Sequence, residues 1–243
     1  MFLNLVWGIL YRIFFPVRCF SCGRIGAYLC NSCSKNFRLY SPHCIYCQNY
    51  SAFGITHKKC SGHIKRTIPL FYFTGTVKKI LKNFKYRKAT ESVIILKEII
   101  NLYIRKDFFH LFDNLFKNGK EVVLIPVPMH RKKLARRGYS HTTLLAHVFC
   151  DVFSSIYTIN CSVYDDAVIK YKVTVSQTTL SSKERINNVS GSFLFNIKFA
   201  KMLKEKQILI IDDVITTGAT VNEVAKVISP YNNDISIVSV ARD

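Results

Sequence analysis

The run Ile208-Leu-Ile-Ile-Asp-Asp-Val-Ile-Thr-Thr-Gly-Ala-Thr220 constrains this chain more than any other stretch. Ile208 to Ile211 are apolar without alternation, the pattern of a parallel strand buried on both faces. Asp212 and Asp213 follow at its carboxyl end, the edge at which open α/β sheets bind ligands. Two adjacent acids there can accept hydrogen bonds from vicinal ribose hydroxyls or hold a metal. Thr216, Thr217 and Thr220 add hydroxyls, and Gly218 lets the backbone approach a ligand closely. With Ala219 they open a helix whose first amides can take a phosphate dianion. An ordinary strand-turn-helix unit would leave the buried Asp-Asp pair uncompensated, at considerable cost.

At 243 residues the chain is long enough for one well-packed α/β domain and a small appendage. Thirty-five Lys and Arg stand against fifteen Asp and Glu, a formal net charge of +20. One metal site of four thiolates and one of three thiolates and an imidazole would still leave about +17. That surplus is what a polyanion-binding surface needs. Met1 to Phe15 is apolar, interspersed with Trp7, Tyr11 and Arg12. It is too short to span a bilayer and lacks the basic start and small-residue cleavage site of a secretory signal. It reads as a helix, over residues 1–18, packed on the main body, with at most peripheral membrane contact. No other run is long enough to span, so a soluble cytoplasmic protein is expected.

Seven of the nine cysteines form a pattern: Cys19-x2-Cys22, Cys30-x2-Cys33, Cys44-x2-Cys47, then His57-x2-Cys60. Each pair sets two soft donors on one tight turn, and two turns complete a tetrahedron around zinc. The segment holds too few large apolar residues for a core of its own, so metal must supply much of its folding free energy. Disulfides are disfavoured because the chain carries no export signal. Consecutive pairing would give Cys19, Cys22, Cys30, Cys33 for one zinc and Cys44, Cys47, His57, Cys60 for another. A cross-braced arrangement would mix them, and His63 has spacing equivalent to His57. Cys150 and Cys161 read as small core residues.

Two cationic clusters follow. Val77, Ile80, Leu81 and Phe84 recur at helical spacing, with Lys78, Lys79, Lys82 and Lys85 between them. With Arg87 and Lys88, and with Phe84 and Tyr86 interleaved, this segment suits single-stranded nucleic acid, for which Lys78, Lys82, Lys85, Arg87 and Lys88 are the candidate contacts. A solvated helix face is the plainer alternative. Arg131, Lys132, Lys133, Arg136 and Arg137 form the second cluster, after Pro126-Val-Pro128. Glu121 to Val127 and Ser236 to Ala241 read as further buried strands, and Tyr139 to Phe153 and Thr220 to Ser229 as helices. This alternation predicts an α/β fold with a doubly wound parallel sheet.

The Asp-Asp loop resembles the phosphoribosyl-pyrophosphate motif of type I phosphoribosyltransferases. That resemblance implies that Asp212 and Asp213 contact the donor ribose, that Thr216 through Thr220 wrap its 5-phosphate, and that the loop carrying Arg137 receives pyrophosphate with magnesium. Along nearly its whole length the chain also resembles the ComF family, which joins a double zinc ribbon to a phosphoribosyltransferase domain. The markers stand in order: Phe15-Pro16, Phe73-Thr-Gly75, Pro126-Val-Pro128, Arg136-Arg-Gly-Tyr139, Gln177, Leu180-Ser181, Arg185, Asn188-Val-Ser-Gly-Ser-Phe193 and Ala241-Arg242. The implied organisation is a zinc ribbon over residues 19–66 and a phosphoribosyltransferase-like domain over 67–243. Where relatives commonly carry Arg-Gly-Phe-Asn-Gln, this chain has Arg137-Gly-Tyr-Ser-His141. No residue presents itself as the general base, and His141 is a candidate only by its proximity to this loop in sequence. Lys170 to Phe193 matches in position the loop that closes over the site in this fold.

Two functions are compatible with these features. The first is a ComF-type protein that binds phosphoribosyl pyrophosphate and single-stranded DNA during DNA uptake in natural transformation, beside a helicase or pore. The second is an active phosphoribosyltransferase acting on an unidentified base or amine.

Overall fold

A computed structural model describes residues 16–86, 89–172 and 182–243. The amino-terminal apolar helix, Arg87, Lys88, Gln177 and Leu180-Ser181 lie outside the described residues. Seven strands are described: Arg66–Tyr72 (β1), Val122–Pro126 (β2), Cys161–Val163 (β3), Val168–Lys170 (β4), Phe193–Phe195 (β5), Gln207–Ile215 (β6) and Ile235–Arg242 (β7). Five of them make the central, all-parallel sheet, in the order β1-β7-β6-β2-β3. β4 and β5 form a separate antiparallel hairpin. The α/β class read from the sequence is the one observed, and both anticipated flanking strands are present within a residue or two of their expected ends.

The central strands are apolar on both faces because helices cover both. Val122, Leu124, Leu209, Ile211, Val238 and Val240 point into one core with the helices Gly75–Tyr86, Ala89–Tyr103 and His141–Tyr157. Val123, Ile125, Ile208, Ile210 and Ile237 point into the other, beneath the helix Ala219–Ile228. A parallel strand without alternation is the expected outcome of such two-sided burial.

β6 runs further than the apolar run suggests, continuing through the two aspartates to Ile215 while still paired with β7. β2 stops at Pro126, opposite Ile211. Asp212 onward is therefore paired on one side and open on the other. The chain leaves β2 toward β3 on one side and leaves β6 toward β7 on the other, so the β2/β6 boundary is the topological switch point at which such sheets bind ligands.

The Cys-rich segment lies against this carboxyl edge and along β1. Backbone bonds from Tyr40 N to Leu70 O (2.9 Å) and from Tyr72 N to Arg38 O (2.9 Å) cover the outer edge of β1. No helix among the described residues is long and apolar enough to cross a membrane.

Candidate functional site

The aspartate pair is held by its own backbone and by a lysine. Asp213 N donates to Asp212 Oδ1 and Val214 N to Asp213 Oδ1, both at 2.9 Å. Lys85 Nζ, from the end of the Gly75–Tyr86 helix, lies 2.5 Å from Asp213 Oδ2. Burial works against ionisation of Asp213, but the Lys85 ammonium, with His141 behind it, holds its carboxyl below the usual carboxylate range. Asp212 goes the other way. Burial first, and the neighbouring Asp213 charge second, push it up to about 8. One acid is therefore fixed as a carboxylate and its neighbour carries the proton readily.

His141 stands on the other side of Asp213, with Nε2 3.9 Å from Oδ1. Arg137 Nη1 lies 3.0 Å from His141 Nδ1. A guanidinium can only donate, so Nδ1 accepts and the neutral ring carries its proton on Nε2, toward Asp213. Burial depresses this imidazole to about 4, and Lys85 and Arg137 add to the effect against the pull of Asp213. Position 141 thus holds a neutral, oriented histidine.

Beyond Asp212 the loop turns at Gly218, whose φ of +81° starts the helix Ala219–Ile228. Asp212, Thr216, Gly218, Ala219 and Thr220 line a shallow cradle of about 20 Å³. A second cavity, of about 170 Å³, adjoins at the end of β2 and is lined by Lys85, His130, Lys133, Arg137, His141 and Lys170. Lys133 and Arg137 lie one helical turn apart on the short helix Arg131–Arg137, so both border this cavity, Arg137 half-buried and Lys133 exposed like Arg131, Lys132 and Arg136. Sequence reasoning missed Lys170. Its ammonium is partly buried, which together with Lys133 lowers it to about 8 against the pull of Asp212. Its strand is only three residues long, too short to carry a periodic signal.

The basic segment divides. Lys78 and Lys82 are exposed on the Gly75–Tyr86 helix, with Lys78 Nζ 5.5 Å from the Phe73 ring centre. Lys85 instead belongs to the aspartates. Lys79 Nζ donates to Ser21 O at 2.5 Å, tying the helix to the first cysteine group.

The eight ligand candidates gather in two groups, Cys19/Cys22/Cys30/Cys33 and Cys44/Cys47/His57/Cys60, with all ligand atoms in each within 4.8 Å of one another. This is the consecutive pairing, with His57 and not His63. A zinc tetrahedron with Zn–S near 2.3 Å has edges of about 3.8 Å. Cys22 Sγ to Cys30 Sγ is 3.6 Å and Cys47 Sγ to His57 Nδ1 is 3.2 Å, so both groups fit zinc. Backbone N–H groups aimed at Cys19 and at Cys44 outweigh burial and bring each thiol down to about 6, the form that ligates.

The second group braces the Asp212–Thr220 loop. Ile45, between its first two cysteines, packs on Gly218 so closely that a Cβ there would lie 3.1 Å from Ile45 Cδ1. Tyr46 Oη donates to Asn222 Oδ1 at 3.2 Å and receives Ile64 N at 3.1 Å. Gln48 accepts from the buried Arg242, at the end of β7.

A parallel sheet with an Asp-Asp strand end at its switch point and hydroxyls in the next turn is consistent with a fold like that of type I phosphoribosyltransferases, here joined to two Cys groups that could hold zinc. No family model matches the chain. It is 24% identical to Competence protein F of Haemophilus influenzae over 94% of this chain and 98% of that one. It is 23% identical to Competence protein ComFC of Bacillus subtilis over 91% and 81%, and 22% identical to DNA utilization protein YhgH of Escherichia coli K12 over 82% and 83%. These likenesses bear out the ComF-family resemblance read from the motifs.

Proposed function

We propose that this chain is a cytoplasmic ComF-type protein of DNA uptake that binds phosphoribosyl pyrophosphate at the Asp212–Thr220 loop and handles single-stranded DNA through its basic surface. The division of labour follows the two parts of the chain, a metal module over residues 19–66 and a donor domain over 67–243. The observation that carries the reading is the convergence of Lys85 and His141 on Asp213, with Arg137 on the far side of His141, beside a hydroxyl-lined turn. Asp212 and Asp213 accept from the ribose hydroxyls, and Thr216, Thr217 and Thr220 with the opening amides of the Ala219–Ile228 helix take the 5-phosphate. Lys133, Arg137 and Lys170 face the pyrophosphate, where preorganised cations stabilise departing negative charge. Magnesium arrives with the diphosphate, whose charge it neutralises. The names of the relatives, competence and DNA utilization, support the cellular role.

Calorimetric titration with phosphoribosyl pyrophosphate and magnesium tests the reading. Wild type should bind, and Asp212→Asn/Asp213→Asn should lose binding while remaining folded. No binding to folded wild type would sink the donor site. A second reading, an active transferase, is favoured by the cavity beside Asp213, whose Lys133, Arg137 and Lys170 would hold a leaving pyrophosphate. It predicts slow release of pyrophosphate on adding a base or amine acceptor.

A further inference from the structure

The opposite edge of the sheet carries a further cavity, which the Asp212–Thr220 loop does not reach. It measures about 560 Å³, within the range of small-molecule sites, and opens where β1, β6 and β7 begin. Gln207, at its wall, precedes Asp213 by six residues, so at about 3.3 Å per residue the two sites are roughly 20 Å apart. Lys58, Lys65, Arg66 and Lys120 line it, with Asp234 as the one carboxylate.

That carboxylate is already shared. Asp234 Oδ2 lies 2.7 Å from Lys120 Nζ and Oδ1 3.5 Å from Lys65 Nζ. Arg66 Nη1 is closed off from solvent and has no hydrogen-bond acceptor. Lys58 is exposed at the rim, next to His57 of the second metal group. Zinc on three thiolates and an imidazole would add one negative charge and still leave the cavity cationic. A buried guanidinium nitrogen without an acceptor costs free energy that a ligand oxyanion would recover. The side chains of Asn114, Asn118 and Ser236 on the same walls offer the neutral polar groups that a base or sugar needs.

We propose that this cavity binds the phosphate of a nucleotide, independently of the donor loop, with Arg66 and Lys58 on the phosphate and Asn114 and Asn118 toward the nucleoside. The source is either a free nucleotide or the phosphorylated end of a nucleic-acid strand, which present the same group.

The test uses zinc-replete full-length protein, deoxythymidine monophosphate as probe and thymidine as control. Wild type and Asp212→Asn/Asp213→Asn should bind the monophosphate equally, and thymidine should not bind. Lys58→Glu, at an exposed position that spares the fold, should weaken binding at least about tenfold, the size of one charge-assisted hydrogen bond. Arg66→Met should weaken it further and Arg66→Lys restore part of the loss. Competition by a 5′-phosphorylated oligothymidylate would identify a strand end as the source, and its failure would leave the free nucleotide. Absence of binding, or binding untouched by Lys58→Glu and Arg66→Met, overturns the proposal. Binding lost in the aspartate double variant also overturns it, because the probe would then sit in the donor loop. Titration of the same proteins with phosphoribosyl pyrophosphate judges the donor site separately.

Discussion

Lys85 Nζ sits 2.5 Å from Asp213 Oδ2, joining a helix of the basic surface to the acids of the candidate donor site. The carboxylate side chain is 5% exposed and the lysine 25%, so little water is available to replace the ion pair. Lys85→Met should cost roughly 1–3 kcal/mol, the range for leaving a buried charged group unpaired. Urea denaturation at pH 7 measures it, and Asp213→Asn added to Lys85→Met should cost less than the two single losses together.

Because Lys85 is committed to the aspartates, a nucleic-acid surface on this helix is probed at Lys78 and Lys82 alone. Replacing both with Glu should weaken single-stranded DNA binding and flatten the slope of log K against log salt, by about 0.7 for each phosphate that is no longer neutralised. Affinity for phosphoribosyl pyrophosphate should stay unchanged. An unaltered salt slope would place the polyanion elsewhere.

His141 gives the fold a defined acid sensitivity. Its folded value of about 4 lies below the ordinary 6.5, so between these values the unfolded chain binds the extra proton. Its contribution is therefore fully present above about pH 6.5 and shrinks as pH falls toward 4. His141→Gln should flatten the stability profile over that window in denaturation runs from pH 4 to 7.

Metal removal should act unequally on the two groups. The first docks on the Gly75–Tyr86 helix, where Ser21 Oγ and Thr76 Oγ1 are 3.0 Å apart. The second holds Ile45 and Tyr46 against the donor loop and its helix. Cys44→Ser should therefore raise amide exchange around Gly218 to Asn222 and weaken donor binding. Cys22→Ser should leave both near wild type.

Gly218→Ala combines two faults: a φ of +81° that an L residue adopts at a cost of about 1–2 kcal/mol, and a Cβ pressed against Ile45. Loss of donor binding accompanied by a lower Tm is the expected result. Ile45→Ala added to Gly218→Ala should recover part of the binding.

Much of this was legible in the sequence because the responsible patterns are local. The apolar run before Asp212, the Cys-x2-Cys turns and the four-residue spacing of Val77 and Leu81 each declare themselves within a few positions. The same spacing carried one step further reaches Lys85, a signal that would have set this lysine on the packed flank. β1 escaped because Pro69 interrupts its pattern, and the strand lies at the edge of the central sheet, with β7 on one side and short bridges to Leu39 and Ile55 on the other. Lys170 and the cavity around Arg66 are assembled from segments far apart in the chain, and no local period marks such a meeting.

The pairing of β1 with β7 also bears on the order in which the chain folds. Arg66 meets Ser236, a partner about 170 positions later, so the edge strand waits for nearly the whole polypeptide to be synthesised. Both cysteine groups, by contrast, are complete before β1 emerges from the ribosome. Metal capture by these groups would thus be an early, short-range event, and it would fix the chain beside the place where the last strand must arrive. Long-range closure of this kind is slow when the ends are free. A metal-clamped ribbon already lying along the outer edge of β1 would shield that strand from wrong pairings in the interval.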